Sequence, residues 1–345
     1  MPIQMVYHSA NCLNTKKPYA KDCRLCLEAC PHQAISERME IDARKCTECG
    51  ACMAACPSDG FVDRTVDALY EYLSKAQEIN ISCPLALPQG FEVPCLGIFD
   101  RDTWAGLMLL AQEKPVKIFT GVCSECQDKA ACAASVKVFN TLHVQWPDHA
   151  PIKIIVKIDP RIESEPAQGL MKAPALPELG ELRERSEGWR ERGKEKLEEL
   201  LPGLRRDETY NIPRARAWLQ ELLATRPEVR FPFPTLTVAD SCTSCGVCTL
   251  ICPQRALAKR EENGKMRLVF EPYKCVQCGR CVETCRPGTL NFEIKTLSPR
   301  LLNGKIMLHE GSPRYCSRCG KQIFDNSELC IACASSNPDK QNFFL

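Results

Sequence analysis

Apolar positions change their period several times along this chain. Val66, Leu69, Tyr70, Leu73 and Ala76 recur at three- and four-residue steps, which predicts an amphipathic helix. Short apolar runs follow at 79–82, 93–99, 116–120 and 152–158, and a helix-like stretch with Trp104, Leu107, Met108 and Ala111 separates the second from the third. Short runs alternating with helices predict a small α/β unit over 63–160 on a parallel sheet. Pro160, Pro166, Pro174 and Pro177 then interrupt the pattern. From 178 to 206 Glu and Arg interleave at helical spacing, which reads as a solvated helix held by i,i+4 pairs, or as a docking arm for a partner subunit. A further helix is expected over 214–225, with Ala217, Trp218, Leu222 and Leu223 on one face, so 161–233 reads as a charged helical connector.

Composition changes the picture at once. The 345 residues include 25 cysteines, most of them in C-x2-C repeats. A secreted disulfide scaffold is shorter and opens with a signal peptide. The opening MPIQMVYHSANC has neither an apolar core segment nor twin arginines, and no 18-residue apolar run suggests a membrane span. A reducing, cytoplasmic setting is expected, with the thiols used for metal ligation.

The densest pattern is C242-T-S-C245-G-V-C248-T-L-I-C252-P, a spacer, and C275-V-Q-C278-G-R-C281-V-E-T-C285-R-P. Each half is C-x2-C-x2-C-x3-C. Three cysteines on one tight loop reach three corners of a cube, while the fourth points away toward a second cube. The run resembles that of bacterial-type two-cluster ferredoxins, which hold [4Fe–4S] cubanes in this way. The resemblance implies one cluster on Cys242, Cys245, Cys248 and Cys285 and another on Cys275, Cys278, Cys281 and Cys252, within a module at 234–298. The proline after the last cysteine is displaced by one residue, at Pro287, and Arg286 reads as a solvated side chain.

Residues 1–62 repeat the pattern with one alteration. C46-T-E-C49-G-A-C52-M-A-A-C56-P is intact, but Ala20 precedes C23-R-L-C26-L-E-A-C30-P where a cysteine belongs. Cys12 is the thiol available to replace it. The same resemblance implies clusters on Cys12, Cys23, Cys26 and Cys56 and on Cys46, Cys49, Cys52 and Cys30. The alternative is a free Cys12 beside a three-iron cluster.

Cys83, Cys95, Cys123, Cys126 and Cys132 lie in the α/β region, most of them just after apolar runs, where open parallel sheets build their sites. The segment VPCLGIFDRDTWAGLMLLAQEKPVKIFTGVCSEC resembles the small iron–sulfur subunit of methyl-viologen-type hydrogenase and heterodisulfide reductase complexes. That resemblance implies a candidate fifth cluster on Cys83, Cys95, Cys123 and Cys126, although the paired cysteines before the first strand are reduced to Cys83. A redox dithiol at Cys123 and Cys126, or plain buried cysteines, are the alternatives. Near the end, C316-S-R-C319 and C330-I-A-C333 resemble a zinc ribbon over 312–336, although iron fits the same geometry.

The formal charge of +2 treats thiols as neutral. Loaded with four cubanes and a zinc, the protein would carry about −8, so its basic residues read as partly offsetting clusters rather than as a nucleic-acid footprint. No G-x-G-x-x-G or phosphate loop follows a strand, no radical-SAM run is present, and the five histidines show no ligand spacing. The expected fold is α+β and multidomain: two dicluster modules, a central α/β domain, a helical connector and a ribbon. The expected function is electron relay within a larger anaerobic oxidoreductase whose partner subunits bear flavin, molybdenum, tungsten or nickel. An assembly factor, or a central domain catalytic through its own thiols, are the alternatives.

Overall fold

The computed structural model of the protein describes residues 5–16, 19, 21–147, 152–159, 212–324 and 327–335. The charged connector expected at 178–206, and Ala20, lie outside the described residues. The chain divides into two compact units, Met1–Pro227 and Glu228–Leu345.

In the first unit, β1 (Val6–Tyr7) pairs antiparallel with β2 (Phe61–Val62) and brings the two ends of the first cysteine-rich region together. Between them, α1 (Leu13–Lys16), α2 (Leu25–Ala29) and α3 (Ala51–Ala55) are single turns that each follow or carry cysteines. Met5, Cys26, Ile35, Cys52 and Phe61 form the core of this region, so the thiols are themselves core residues.

The periodic stretch after it is α4 (Arg64–Lys75), which buries Val66, Leu69, Tyr70 and Leu73 and starts where the Asp63 carboxylate accepts the Thr65 amide. The apolar runs build a parallel sheet in the order β4-β3-β5-β6, from β3 (Ile79–Ser82), β4 (Phe91–Glu92), β5 (Val116–Thr120) and β6 (Lys153–Val156). Helices α5 (Arg101–Leu110) and α6 (Lys129–Gln145) connect its strands. The run at 93–99 departs from the expected strand. The chain leaves β4 at Glu92, and Leu96–Ile98 wind into a 3-10 turn that begins where the Cys95 sulfur accepts the Gly97 amide.

Helix α7 (Arg214–Ala224) belongs to this unit. It buries Ala215, Arg216, Trp218, Leu219 and Leu223 rather than the expected face with Ala217 and Leu222, because its contact surface is α5. Trp218 stacks on Tyr70 at 4.9 Å and 15° between planes, and its Nε1 donates to Ser74 Oγ at 3.3 Å. The indole lies against Gly106, where an added Cβ would stand 2.1 Å from the ring. Gly106→Ala gains about 1 kcal/mol of helix propensity. Because the ring is pinned on two sides, overpacking costing about 1–3 kcal/mol outweighs that gain. The variant is expected to melt earlier, with a changed near-ultraviolet Trp signal. An unchanged or higher melting temperature contradicts the packing argument.

In the second unit, β7 (Phe231–Val238) pairs along its whole length with β10 (Leu290–Leu297). The spacer between cysteine runs is a hairpin, β8 (Leu257–Glu262) and β9 (Lys265–Phe270). Its two-residue loop is Asn263 and Gly264, at φ 53° and 72°, the left-handed pair that a type I′ turn requires. Helices α8 (Val247–Ile251) and α9 (Arg280–Glu283) follow the two cysteine loops. Helix α10 (Pro299–Leu302) leads to β11 (Ile306–Gly311), which extends the hairpin in the order β11-β9-β8. A small tail carries β12 (Arg314–Tyr315), β13 (Gln322–Ile323) and α11 (Ile331–Ser335).

Candidate metal-cluster sites

Three of the four cysteine loops share one backbone solution. Glu48, Ser244 and Gln277, each just before the second cysteine, lie at φ 59°, 49° and 56°, and Gly50, Gly246 and Gly279, just after it, lie at 80°, 81° and 76°. Alternating right- and left-handed residues curl the chain so that amides face the enclosed space and form a cradle for an anion such as a thiolate-bound cluster. The Cys23–Cys26 loop lacks both features, since Asp22 is not left-handed and Arg24 sits at φ −121°. There a side chain replaces the backbone device. Asn14 on α1 accepts the Cys23 amide at 2.8 Å and donates to the Cys23 carbonyl at 3.0 Å, clipping the Cys12 segment to the Cys23 loop.

All four fourth cysteines also share a turn. Gln33, Asp59, Arg255 and Gly288, three residues after Cys30, Cys56, Cys252 and Cys285, have φ of 48°, 54°, 50° and 64°. The next amide then points back at the sulfur: Ala34 to Cys30 at 3.3 Å, Gly60 to Cys56 at 3.1 Å and Ala256 to Cys252 at 3.3 Å. At Cys285 the amides of Gly288, Thr289 and Leu290 converge, and the Thr289 hydroxyl lies 3.3 Å from the sulfur. Burial alone would raise the Cys285 thiol, but these donors outweigh it and hold the thiol below its ordinary range. The displaced proline at Pro287 therefore leaves the turn intact.

These loops bring the thiols together in crossed sets. Cys12, Cys23, Cys26 and Cys56 line one small pocket, and Cys252, Cys275, Cys278 and Cys281 line another. Cys52 lies in the field of Cys49, Cys30 and Cys46, and Cys248 in that of Cys245, Cys242 and Cys285. Cys26 and Cys248 are both pushed up to about 12, first by burial and then by neighbouring thiols. Four thiols crowded out of water resist ionisation unless a cationic core supplies the compensating charge.

The 4Fe–4S dicluster domain family matches this chain at residues 20–59 and again at 241–289, the two regions just described. The chain carries two 4Fe–4S dicluster domains. Its N-terminal match begins at Ala20, so the family's span starts after Cys12. A polyferredoxin-like subunit of an aliphatic sulfonate oxidoreductase from Pyrococcus furiosus is 34% identical over 99 residues, covering 28% of this chain and 48% of that protein. A ferredoxin from Pyrobaculum islandicum is 48% identical over 46 residues, covering 13% of this chain and 40% of that protein. The chain thus spans about half the length or less of these curated relatives. The two dicluster domains give the protein an iron–sulfur electron-transfer role.

The N-terminal dicluster domain packs directly on the α/β region through its Cys46–Cys52 loop. Gly97 makes this approach feasible, since a Cβ there would stand 2.8 Å from Ala131 Cβ and 3.0 Å from the Cys49 carbonyl. Asp128, buried at the head of α6, ties the contact. It accepts Thr47 Oγ1 at 2.6 Å and pairs with His32 Nε2 at 2.8 Å, while its own amide donates to Cys126 Sγ at 3.3 Å. Neither Asn14 nor Asp128 stands out in the sequence, because each acts across a gap that only folding closes. The α/β thiols follow the carboxyl ends of β3, β4 and β5, with Cys132 on α6. Cys132 donates to Cys123 at 3.5 Å and hydrogen-bonds Cys95, holding the Cys95 thiol below its ordinary range.

In the tail, the sulfurs of Cys316, Cys319, Cys330 and Cys333 all lie within 4.8 Å of one another. Backbone amides, that of Cys330 foremost, lower the Cys316 thiol to about 6. Within the described residues no helix is long and apolar enough to cross a membrane.

Proposed function

We propose that this chain is the electron-relay subunit of a larger anaerobic oxidoreductase and passes single electrons through four [4Fe–4S] clusters. The observation that carries the reading is the recurrence of one turn at Cys30, Cys56, Cys252 and Cys285, each aiming an amide at a thiol beside three others. The ligand sets are Cys12, Cys23, Cys26 and Cys56; Cys46, Cys49, Cys52 and Cys30; Cys242, Cys245, Cys248 and Cys285; and Cys275, Cys278, Cys281 and Cys252. Bound there, a cubane supplies reversible one-electron chemistry, while the amides and buried side chains set its potential. The likeness to a polyferredoxin-like oxidoreductase subunit supports placement in a complex whose other subunits, bearing flavin, molybdenum, tungsten or nickel, do the terminal chemistry in the cytoplasm.

The test is purification of the tagged chain without oxygen from its own host, followed by spin counting of the reduced complex. Four reduced cubane spins per chain, in a complex that turns over, support the relay. Association with an immature, metal-free enzyme alone makes the chain an assembly factor instead.

The tail is a structural zinc ribbon in this reading. Among the described residues its core is Cys316, Ile323 and Cys330 with Leu329 and Cys333 against them, too little apolar surface to order it unaided, so the metal supplies most of its folding free energy. Replacing Cys316 and Cys319 together by serine is expected to remove the zinc and leave residues 312–336 open to proteolysis, with iron content unchanged. Loss of iron in that variant overturns the assignment.

A further inference from the structure

We infer that the N-terminal dicluster domain is electrically polarised. Tyr7 and Lys16 make the Cys12, Cys23, Cys26 and Cys56 set its electron-accepting end, and Asp128 and Glu48 make the Cys30, Cys46, Cys49 and Cys52 set its electron-donating end. This rests on the relay reading and gives it a direction.

Reduction adds one negative charge to a thiolate-bound site. Donors aimed at its sulfurs, nearby cations and access to water therefore favour reduction, and nearby carboxylates oppose it. The first set has all three favourable features. Tyr7 lines the pocket of Cys12, Cys23, Cys26 and Cys56, and its ring stands against Phe61 at 5.2 Å. The Thr15 hydroxyl donates to the Tyr7 oxygen, and the phenol hydrogen-bonds Cys12. A ligand thiolate can only accept, so the phenol is the donor. Lys16, half-buried on α1, faces Asp59 and then Cys56 and Cys12. The Asp59 carboxylate is shared with a second cation, since it accepts the Arg214 amide at 2.7 Å and lies 3.5 Å from the Arg214 guanidinium. Leu25, on the rim of the pocket, is 43% exposed, so this set lies near solvent.

The second set has the opposite surroundings. Asp128 is buried at the head of α6, and Cys46 and Cys49 both lie in its field, Cys46 in that of Glu48 as well. The N-terminus of α6 offers about half a positive charge there, which a full carboxylate outweighs. Thr47 Oγ1 is within reach of Cys49, but its one proton goes to Asp128 at 2.6 Å. The carboxylate thus also withdraws a donor from the sulfur, and His32 Nε2 at 2.8 Å holds it in place. The α/β region covers this loop at Gly97. One electron leaves the second set and enters the first, with no bond made and no proton moved. Partner subunits supply the reductant on the covered side and the oxidant beyond Leu25.

The test is a redox titration of the full chain purified without oxygen, followed by EPR of the reduced cubanes and run beside Cys12→Ala. Tyr7→Phe and Lys16→Met are each expected to lower one midpoint potential, the one missing from Cys12→Ala, with the spin count unchanged. Lys16→Arg is expected to restore it. Asp128→Asn is expected to raise a different midpoint, which in the unaltered protein lies below the first. Glu48→Gln is expected to raise that same midpoint, and it keeps the fold because Gln277 holds the equivalent left-handed position in the Cys275 loop. It decides the matter if Asp128→Asn loses cubanes. The inference is overturned if Cys12→Ala loses no cubane or loses the lower of the two midpoints. It is also overturned if neither Tyr7→Phe nor Lys16→Met lowers a midpoint, or if neither carboxylate variant raises one. Absence of cubane signals from the unaltered protein marks failure of the relay reading, separately from that of the polarity.

Discussion

Cys12→Ala is expected to strip one cubane from the protein, lowering iron by about four per chain and the reduced spin count by one, while the other cubanes stay intact. The dicluster family's match begins at Ala20 and leaves out Cys12. The case for this residue is therefore geometric. Cys12 lines the same cavity as Cys23, Cys26 and Cys56. Its segment is clipped to Cys23 by Asn14 and anchored by Asn11, whose side chain donates to the Asp59 carbonyl at 3.0 Å, one turn beyond Cys56. Gly60 completes the approach, since a side chain there would press on the Cys56 sulfur and meet Cys12. Because the other sets use none of these residues, the loss should be confined to one cluster. EPR spin counting on the dithionite-reduced variant, beside its iron content, checks it. An unchanged count removes Cys12 from the ligands, and a three-iron signal already present in the unaltered protein does so too.

The second large effect is one of stability. Arg216 on α7 directs its Nε at Asp102 on α5 at 2.5 Å, with side chains only 5% and 9% exposed. Truncating one member of a buried ion pair leaves the other charge without compensation, which costs about 3–5 kcal/mol, whereas replacing both by apolar groups of similar volume is often neutral or better. The surroundings make the case stronger. Asp100, two residues away, is pushed up to about 7, first by burial and then by the Asp102 charge, so this region already resists a second carboxylate. Arg216→Ala is therefore expected to destabilise the Met1–Pro227 unit by about 3–5 kcal/mol. Arg216→Met combined with Asp102→Leu is expected to recover most of that. The measurement is the guanidinium midpoint of the metal-loaded protein, followed by visible absorbance and Trp fluorescence. Equal losses in the single and double variants would mean that α7 is held by its apolar face alone.

Much of the chemistry here was legible in the sequence because it is local. A C-x2-C-x2-C-x3-C run fixes which thiols share a loop, and the tight turn after each fourth cysteine needs only residues three and four positions on. Gln33, Asp59, Arg255 and Gly288 adopt the same left-handed backbone whatever their side chain. The periodic stretches around Val66 and Trp104, which form α4 and α5, were legible for the same reason.

What the tertiary structure alone decided is what acts between segments far apart in the chain. Apolar content at 93–99 suggested a strand, but the turn at Cys95 and the close approach at Gly97 are set by the Cys49 loop packing there. The face of α7 is chosen by α5, through Gly106 and Asp102, and no periodicity within 214–225 encodes that partner. Asp128 reads as an ordinary helix-start carboxylate until Thr47 and His32, 81 and 96 residues away, are brought against it. Spacing along a chain determines which ligands one loop presents. Packing determines which loops meet, and for this protein that is what places the α/β thiols beside a dicluster domain.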